Sequence, residues 1–129
     1  MINPIILIVE DSDSVRRSLR EWLEGAFPAY EVIETDTGEK ALTITQARAP
    51  RIVIMDISLP GISGIEAMKQ IKATTSTTQV VVLTVHEEKT FRDDAIAAGA
   101  SAFVTKRMMQ KELLPTLMAI LTTEYDAKP

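Results

Sequence analysis

Acidic side chains follow two apolar runs of this sequence and are its first candidates for chemistry. Glu10 and Asp11 come directly after the run 5–9, and Asp56 follows the run 52–55. Carboxylates that converge repel one another, and burial strengthens the repulsion, so they either take up protons or are neutralised by a cation. A set of oxygen ligands without histidine or cysteine suits a hard ion. If the three carboxylates meet, the sequence predicts a Mg²⁺ site.

A hydroxyl and an ammonium group occur at the ends of two further runs. Thr84 ends the run 79–84, and Lys106 follows the short run 102–105. A metal, a hydroxyl and an ammonium around one carboxylate form a site for a phosphoryl group, because the charge on its equatorial oxygens is then met from several sides. Asp56 is the expected nucleophile, and the expected product is an acyl phosphate.

The apolar runs themselves indicate how these residues are positioned. Runs 5–9 and 52–55 are continuous and rich in β-branched residues, which is typical of strands buried on both faces of a parallel sheet. Five strand patterns alternate with five helical ones, which predicts an α/β fold with right-handed crossovers and helices on both faces. The simplest arrangement is a doubly wound, flavodoxin-like (βα)5 sheet of five parallel strands in the order 2-1-3-4-5. Strands 1 and 3 are then neighbours, so Glu10, Asp11 and Asp56 converge at the carboxyl edge.

The spacing of apolar residues and the capping side chains predict five helices. They are expected after the serines at 12 and 14, from 37 to about 47, from 64 to about 73, from about 89 to 98, and through Leu113 and Leu117. Pro115 lies inside the last of these, which predicts a late start or a kink. We expect one domain over residues 1–122, followed by a polar C-terminal tail or the start of a linker at 123–129.

Composition excludes several classes of protein. The 129 residues include no cysteine, which excludes disulfides, thiolate zinc sites and thiol nucleophiles. A formal net charge of −4, with lysine and arginine scattered along the chain, gives no basic surface for nucleic acid. The apolar stretches are far shorter than the ~20 residues of a membrane span, and residues 1–4 lack the basic start of a secretory signal. We therefore expect a soluble, cytoplasmic protein that contacts neither nucleic acid nor membrane through this domain.

At these positions the sequence resembles the receiver domain of two-component response regulators, from Ile5 to about Leu121. The residues that carry the resemblance are the acidic pair Glu10-Asp11, Asp56 within the stretch 55–61 (Met-Asp-Ile-Ser-Leu-Pro-Gly), Thr84, Phe103 and Lys106. The stretches 83–86 (Leu-Thr-Val-His) and 98–103 (Ala-Gly-Ala-Ser-Ala-Phe) are similar to the receivers that precede a LuxR-type helix-turn-helix.

The resemblance implies that a sensor histidine kinase or a phosphotransfer protein donates the phosphoryl group to Asp56. It also implies a Mg²⁺ ion held by Asp11, Asp56, the backbone carbonyl of Ser58 and, through water, Glu10. Thr84 and Phe103 are implied to reorient on phosphorylation and to alter the face formed by helix 4, strand 5 and helix 5. The domain would catalyse only its own phosphotransfer and autodephosphorylation, so it is not expected to be an enzyme with a separate substrate.

Some positions depart from the family's pattern. The acidic pair is Glu10-Asp11 where it is often Asp-Asp, so its first side chain is one methylene group longer. Val85 stands where many receivers carry alanine. Arg107 follows Lys106 where many relatives have proline, which puts the usual cis peptide bond there in doubt. Because Phe103 lacks a tyrosine hydroxyl, a switch at this residue would depend on packing.

Two other functions stay open at this point. The first is a receiver-like scaffold that binds partners without phosphorylation, which Val85 and Arg107 favour and the intact set of site residues opposes. The second is a flavin carrier of the same fold, which would need a phosphate-binding loop where residues 12–14 (Ser-Asp-Ser) are short and acidic. Leu114 and Met118 lie off the main apolar stripe of the last helix, and they form either a homodimer face or the edge of a broad stripe.

Overall fold

The computed structural model describes residues 3–126, in which strands and helices alternate as the sequence predicts. The strands are β1 (Ile5–Val9), β2 (Glu31–Thr35), β3 (Ile52–Met55), β4 (Gln79–Thr84) and β5 (Ala102–Thr105). The helices are α1 (Asp13–Ala26), α2 (Gly38–Arg48), α3 (Gly64–Thr74), α4 (Lys89–Ala97) and α5 (Met109–Asp126). A 3₁₀ turn, Lys106–Met108, separates β5 from α5.

The strands form one parallel sheet in the order β2-β1-β3-β4-β5, which confirms the predicted flavodoxin-like arrangement. Val9 of β1 lies beside Met55 of β3, and the amide of Asp56 donates to the carbonyl of Val9 over 3.1 Å. The acidic residues that follow β1 and β3 therefore leave the sheet side by side. On the far side of the sheet, Thr84 of β4 pairs with Thr105 of β5.

Both faces of the sheet are buried, because the strands carry apolar residues at successive positions. Alternate residues of a strand point to opposite faces. Ile6 and Ile8 accordingly pack in a layer with α1 and α5, whereas Leu7 and Val9 pack in a layer with α2, α3 and α4. This double burial is the reason that β1, β3 and β4 are nearly unbroken apolar runs, whereas the partly buried edge strand β2 contains two glutamates.

Side-chain caps start three helices close to the carboxyl edge of the sheet. The hydroxyls of Ser12, Thr37 and Ser63 each accept a hydrogen bond from a backbone N–H of the first helical turn. These caps satisfy amides that would otherwise lack partners and define where the chain turns from loop into helix. The loops after β1, β2 and β3 thus end at capped positions that hold their residues over the sheet edge.

Helix α5 differs from its prediction at both ends. It begins at Met109, directly after the 3₁₀ turn, and contains Pro115. Of the two predicted alternatives, the late start is therefore wrong, and the kink stays a prediction. The helix also continues through Asp126, so residues 123–126 are helical where a tail was predicted, because neither glycine nor proline interrupts them. The remaining residues of that segment, 127–129, lie outside those described. Neither α5 nor any other helix within residues 3–126 is long and apolar enough to cross a lipid bilayer.

Candidate functional site

The structure brings three carboxylates together at the carboxyl edge of the sheet. One carboxylate oxygen from each of Glu10, Asp11 and Asp56 lies within 4.8 Å of the others. Glu10 and Asp56 are only 2% and 5% exposed, whereas Asp11 is exposed. The convergence follows from the adjacency of β1 and β3, since each strand delivers its acidic residues just past its last paired position. Two of the three charges are therefore removed from water and need compensation.

The ammonium group of Lys106 bridges the two buried carboxylates. Its Nζ lies 2.6 Å from Oε1 of Glu10 and 3.0 Å from Oδ2 of Asp56. Lys106 occupies this position because it directly follows β5, at the same edge of the sheet as the two carboxylates. One positive charge thus serves two buried negative charges, with a third carboxylate within 4.8 Å. The cluster keeps an excess of negative charge, and a cation would reduce it.

The pKa values of Glu10 and Lys106 reflect their burial and the hydrogen bonds between them. Burial raises the pKa of Glu10 above its ordinary value of 4.5, although hydrogen bonds from Lys106 and from the amide of Ser12 act to lower it. Burial alone would lower the pKa of Lys106, but hydrogen bonds to Glu10 and Asp56 outweigh it and raise that pKa above 10.5. The lysine therefore stays charged at neutral pH. For Glu10, burial disfavours the ionised form of the carboxyl group more than its hydrogen bonds favour it.

Replacing Glu10 by glutamine is expected to change how the stability of the metal-free protein depends on pH. The folded state binds the Glu10 proton more tightly than the unfolded chain does, so this group's contribution is full below pH 4.5 and is lost as pH rises through the raised folded pKa. The melting temperature of Glu10→Gln relative to wild type, measured in EDTA, should therefore rise from pH 4.5 towards neutrality. A difference that stays constant or falls over this range would contradict the burial effect.

The loop after β3 is held so that Asp56 faces the other carboxylates. The amide of Ser58 donates to Oδ1 of Asp56 over 3.1 Å, and the amide of Gly64 donates to the carbonyl of Ile57 over 2.9 Å. Gly64 packs against the backbone so closely that a Cβ there would collide with the carbonyl oxygen of Asp56. Ser58, whose backbone carbonyl is the predicted metal ligand outside the acidic triad, thus lies beside the Asp56 carboxylate. The backbone amide of Ser58 is directed at that carboxylate.

The predicted switch residues are both buried on neighbouring strands. Thr84 at the end of β4 is fully buried, and its Oγ1 accepts a hydrogen bond from the amide of His86 at 3.3 Å. Phe103 of β5 is buried in the core layer formed with α2, α3 and α4, and the guanidinium of Arg92 lies 4.9 Å from the centre of its ring. A reorientation of either side chain remains a prediction.

Three contacts beside the site were not foreseen from the sequence. His86 Nε2 lies 2.6 Å from Oγ of Ser58, and the His86 ring stacks on Phe91 with 4.2 Å between ring centres. Arg107, which stands where many receivers have proline, binds Glu87 through two hydrogen bonds of 2.9 and 3.1 Å. Its guanidinium lowers the pKa of the Glu87 carboxyl. These contacts tie the loop after β4 to the loop after β3 and to the turn after β5.

The other departures from the family's pattern are compatible with a receiver fold. No cis peptide bond occurs in the described chain, and the Lys106–Arg107 bond is therefore trans. Val85 is exposed on the loop after β4.

On α5, Leu114 packs against the core, whereas Met118 is 57% exposed. Of the two residues considered for a dimer face, Leu114 is partly buried and Met118 is the more exposed.

The donor set fits Mg²⁺ by its chemistry. Every candidate ligand in the triad is a carboxylate oxygen, and no histidine or cysteine belongs to the group. Hard divalent cations prefer such ligands and often bind through only one or two carboxylates while retaining several waters. The single ammonium leaves net negative charge in the pocket, so the described residues supply both the ligands and the electrostatic reason for a metal.

A five-stranded flavodoxin-like sheet with an acidic triad, a threonine and a lysine at its carboxyl edge is the arrangement of a response regulator receiver. The chain belongs to this family, because residues 6–118 match the family model for the response regulator receiver domain. The fold and this match confirm the resemblance that the sequence predicts, and they assign the chain to two-component signalling.

Individual relatives agree with the assignment. The chain is 33% identical to the response regulator UvrY of Escherichia coli O6:H1 over 120 residues, which cover 93% of the chain and 54% of UvrY. It is 30% identical to the response regulator GacA of Pseudomonas aeruginosa over 124 residues, which cover 96% of the chain and 58% of GacA. The chain thus spans about half the length of these curated relatives.

A solved structure also supports the predicted similarity to receivers of LuxR-type regulators. A two-component response regulator of the LuxR family from Aurantimonas sp. SI85-9A1 superposes with a TM-score of 0.86 at 33% identity. The superposition covers 95% of this chain and 87% of that one.

Proposed function

We propose that this receiver accepts a phosphoryl group on Asp56 from a histidine kinase or a phosphotransfer protein, and that the reaction depends on Mg²⁺. The observation that carries the proposal is the environment of the Asp56 carboxylate. One oxygen accepts from the amide of Ser58 and the other from Lys106, and two more carboxylates lie within 4.8 Å. A buried carboxylate held in this way is oriented for attack. Lys106, together with a cation held by the three carboxylates, could offset the negative charge of the incoming phosphoryl group.

In the proposed reaction, a carboxylate oxygen of Asp56 attacks phosphorus. A bond between that oxygen and phosphorus forms while the bond between phosphorus and the donor's imidazole nitrogen breaks, so the donor leaves as a neutral histidine after protonation. Lys106 already contacts the Asp56 carboxylate at 3.0 Å, which places its ammonium next to any group attached there. The hydroxyl of Thr84 is the proposed donor to another phosphoryl oxygen.

Four groups would hold the metal: the carboxylates of Asp11 and Asp56, the backbone carbonyl of Ser58 and, through water, the carboxylate of Glu10. The ion would supply positive charge to offset the carboxylates and the phosphoryl oxygens. Lys106 alone cannot do this, because it is already shared between two carboxylates. Autodephosphorylation at the same site would return the receiver to its resting form.

Thr84 and Phe103 are the residues through which we infer that phosphorylation alters partner binding. They lie on adjacent strands, and Phe103 is packed under Arg92 of α4. A movement of Thr84 towards the phosphoryl group would therefore be transmitted to the surface formed by α4, β5 and α5. Homodimer formation through Leu114 and Met118 of α5, together with α4 or α1, remains a prediction.

The test is the intact mass of the protein after incubation with acetyl phosphate and Mg²⁺. We expect the addition of a single phosphoryl group, and we expect none when EDTA replaces Mg²⁺. If no group is added and beryllofluoride with Mg²⁺ does not bind, phosphorylation is excluded and the scaffold alternative is favoured.

A further inference from the structure

The hydroxyl of Thr105 is buried without a partner. Thr105 is the last residue of β5, and it is 9% exposed. Among the described side chains, its Oγ1 is the only buried oxygen or nitrogen without a hydrogen bond. Such groups are rare in native proteins because they forfeit their hydrogen bonds to water. The position therefore calls for a physical explanation.

Capping of the 3₁₀ turn that follows Thr105 does not explain the buried hydroxyl. Thr105 has extended dihedral angles and precedes the 3₁₀ turn Lys106–Met108, which is the position where a threonine usually accepts a hydrogen bond from a backbone amide. Here no side-chain cap bond forms. A valine would fill the same space in β5 without an unsatisfied polar atom.

The neighbour of Thr105 across the sheet is the candidate switch residue Thr84. The two residues are paired in the register of β4 and β5, one position beyond the pair Leu83 and Val104. Paired residues of a parallel ladder point to the same face, and adjacent strands lie roughly 4.8 Å apart. A rotation about χ1 can therefore direct one hydroxyl towards the other across the two strands.

The hydrogen-bonding capacity of Thr84 leaves room for this partner. A threonine hydroxyl has one donor and two acceptor positions. The Thr84 oxygen accepts from the amide of His86 at 3.3 Å, which is a long bond and occupies one acceptor position. If Thr84 donates its proton to a phosphoryl oxygen on Asp56, its second acceptor position can receive the hydroxyl proton of Thr105.

We propose that Thr105 is a positioning residue for Thr84, whose hydroxyl it binds when Thr84 turns towards the phosphoryl group on Asp56. This inference rests on the proposed function. Thr105 donates a hydrogen bond to Thr84, which in turn donates one to the phosphoryl oxygen, and no proton changes owner. The hydroxyl of Thr105 lacks a partner in the resting conformation and gains one in the phosphorylated conformation. It therefore shifts the equilibrium towards the phosphorylated conformation.

Thr105→Val separates this role from a structural one, because it removes the hydroxyl and keeps shape and β-branching. Without beryllofluoride, the melting temperature should rise by about 3–8 °C, since an unsatisfied buried group is removed. The affinity for beryllofluoride with Mg²⁺, measured by calorimetric titration, should fall about three- to tenfold, since one hydrogen bond of the bound state is lost. A residue with only a packing role would not move the two measurements in opposite directions.

Thr105→Ser and Thr45→Val are the matched controls. Thr105→Ser keeps the hydroxyl, so its beryllofluoride affinity should stay within about twofold of wild type. Thr45 is a buried threonine in α2 whose hydroxyl already donates to the carbonyl of Ala41 at 2.6 Å. Thr45→Val should neither raise the melting temperature nor change beryllofluoride affinity.

The outcomes distinguish this inference from the function on which it rests. If wild type binds beryllofluoride and Thr105→Val binds it equally tightly, the positioning role is overturned and the proposed function stands. If Thr105→Ser loses as much affinity as Thr105→Val, the hydroxyl is not the cause and the role is likewise overturned. If wild type does not bind, the proposed function fails and this inference fails with it.

Discussion

Replacing Asp56 by asparagine is expected to reduce phosphoryl incorporation from acetyl phosphate to below detection. The amide keeps the size of the side chain but is not a nucleophile. Asp56 is the proposed acceptor because it is buried and is oriented by the Ser58 amide of the loop after β3, whereas Asp11 lies on the exposed side of the triad. The measurement is the intact mass after incubation with Mg²⁺ and acetyl phosphate.

The matched control is Asp13→Asn. Asp13 lies close in sequence to the triad, but its side chain is 78% exposed and pairs with Arg16 on α1. This variant should incorporate phosphoryl groups as wild type does. The melting temperature of Asp56→Asn in EDTA should be at least that of wild type, because one of the crowded charges is removed and Lys106 keeps Glu10 as its partner. Incorporation by Asp56→Asn at the wild-type level would show that the nucleophile lies elsewhere.

Gly64→Ala is expected to damage both stability and phosphorylation. A Cβ at this position would collide with the carbonyl oxygen of Asp56 and lie 2.8 Å from the Cα of Ile57. Both obstacles are backbone atoms, so no side-chain rotation can relieve the clash and the loop itself must shift. We expect a loss of about 3 kcal/mol in the free energy of unfolding, at the upper end for overpacking in a core. Phosphorylation should slow as well, because the displaced backbone carries the acceptor carboxylate.

Gly25→Ala tests whether the loss comes from the clash rather than from removing a glycine. Gly25 lies in α1, and a Cβ there would meet no atom within 4 Å. Alanine should therefore stabilise the protein by about 0.5–1 kcal/mol, since glycine is unfavourable inside a helix. Urea denaturation of both variants measures the difference. If Gly64→Ala unfolds at the same urea concentration as wild type, the close approach at the site is refuted.

The fold was predictable because most of the strands carry a strong signal of their own. Runs such as 5–9 and 52–55 are short, apolar at every position and rich in β-branched residues, a pattern typical of strands buried on both faces. The alternation with helices then determines a parallel sheet, and the strand order brings Glu10, Asp11 and Asp56 to one edge. The approach of these carboxylates is a consequence of topology, so it could be predicted without any knowledge of loop conformation.

Features that depend on loop conformation or on helix ends could not be predicted in this way. The contact of Ser58 with His86 and the pairing of Arg107 with Glu87 each join two segments whose approach no periodicity encodes. The unpartnered hydroxyl of Thr105 is equally hidden, because in sequence it is an ordinary β-branched strand residue. Helix α5 begins before Pro115 and extends through Asp126. Neither end could be located from the position of the proline or from the polar composition of residues 123–126.

The most direct test of the account is to locate the phosphoryl group. The protein is incubated with Mg²⁺ and acetyl phosphate and then treated with borohydride, which reduces an aspartyl phosphate to homoserine, and the peptides are sequenced by mass spectrometry. The account predicts homoserine at position 56 and at no other aspartate, with none formed in EDTA. Homoserine at Asp11, or phosphate retained on a serine, threonine or histidine, would contradict the assignment of Asp56 as the acceptor.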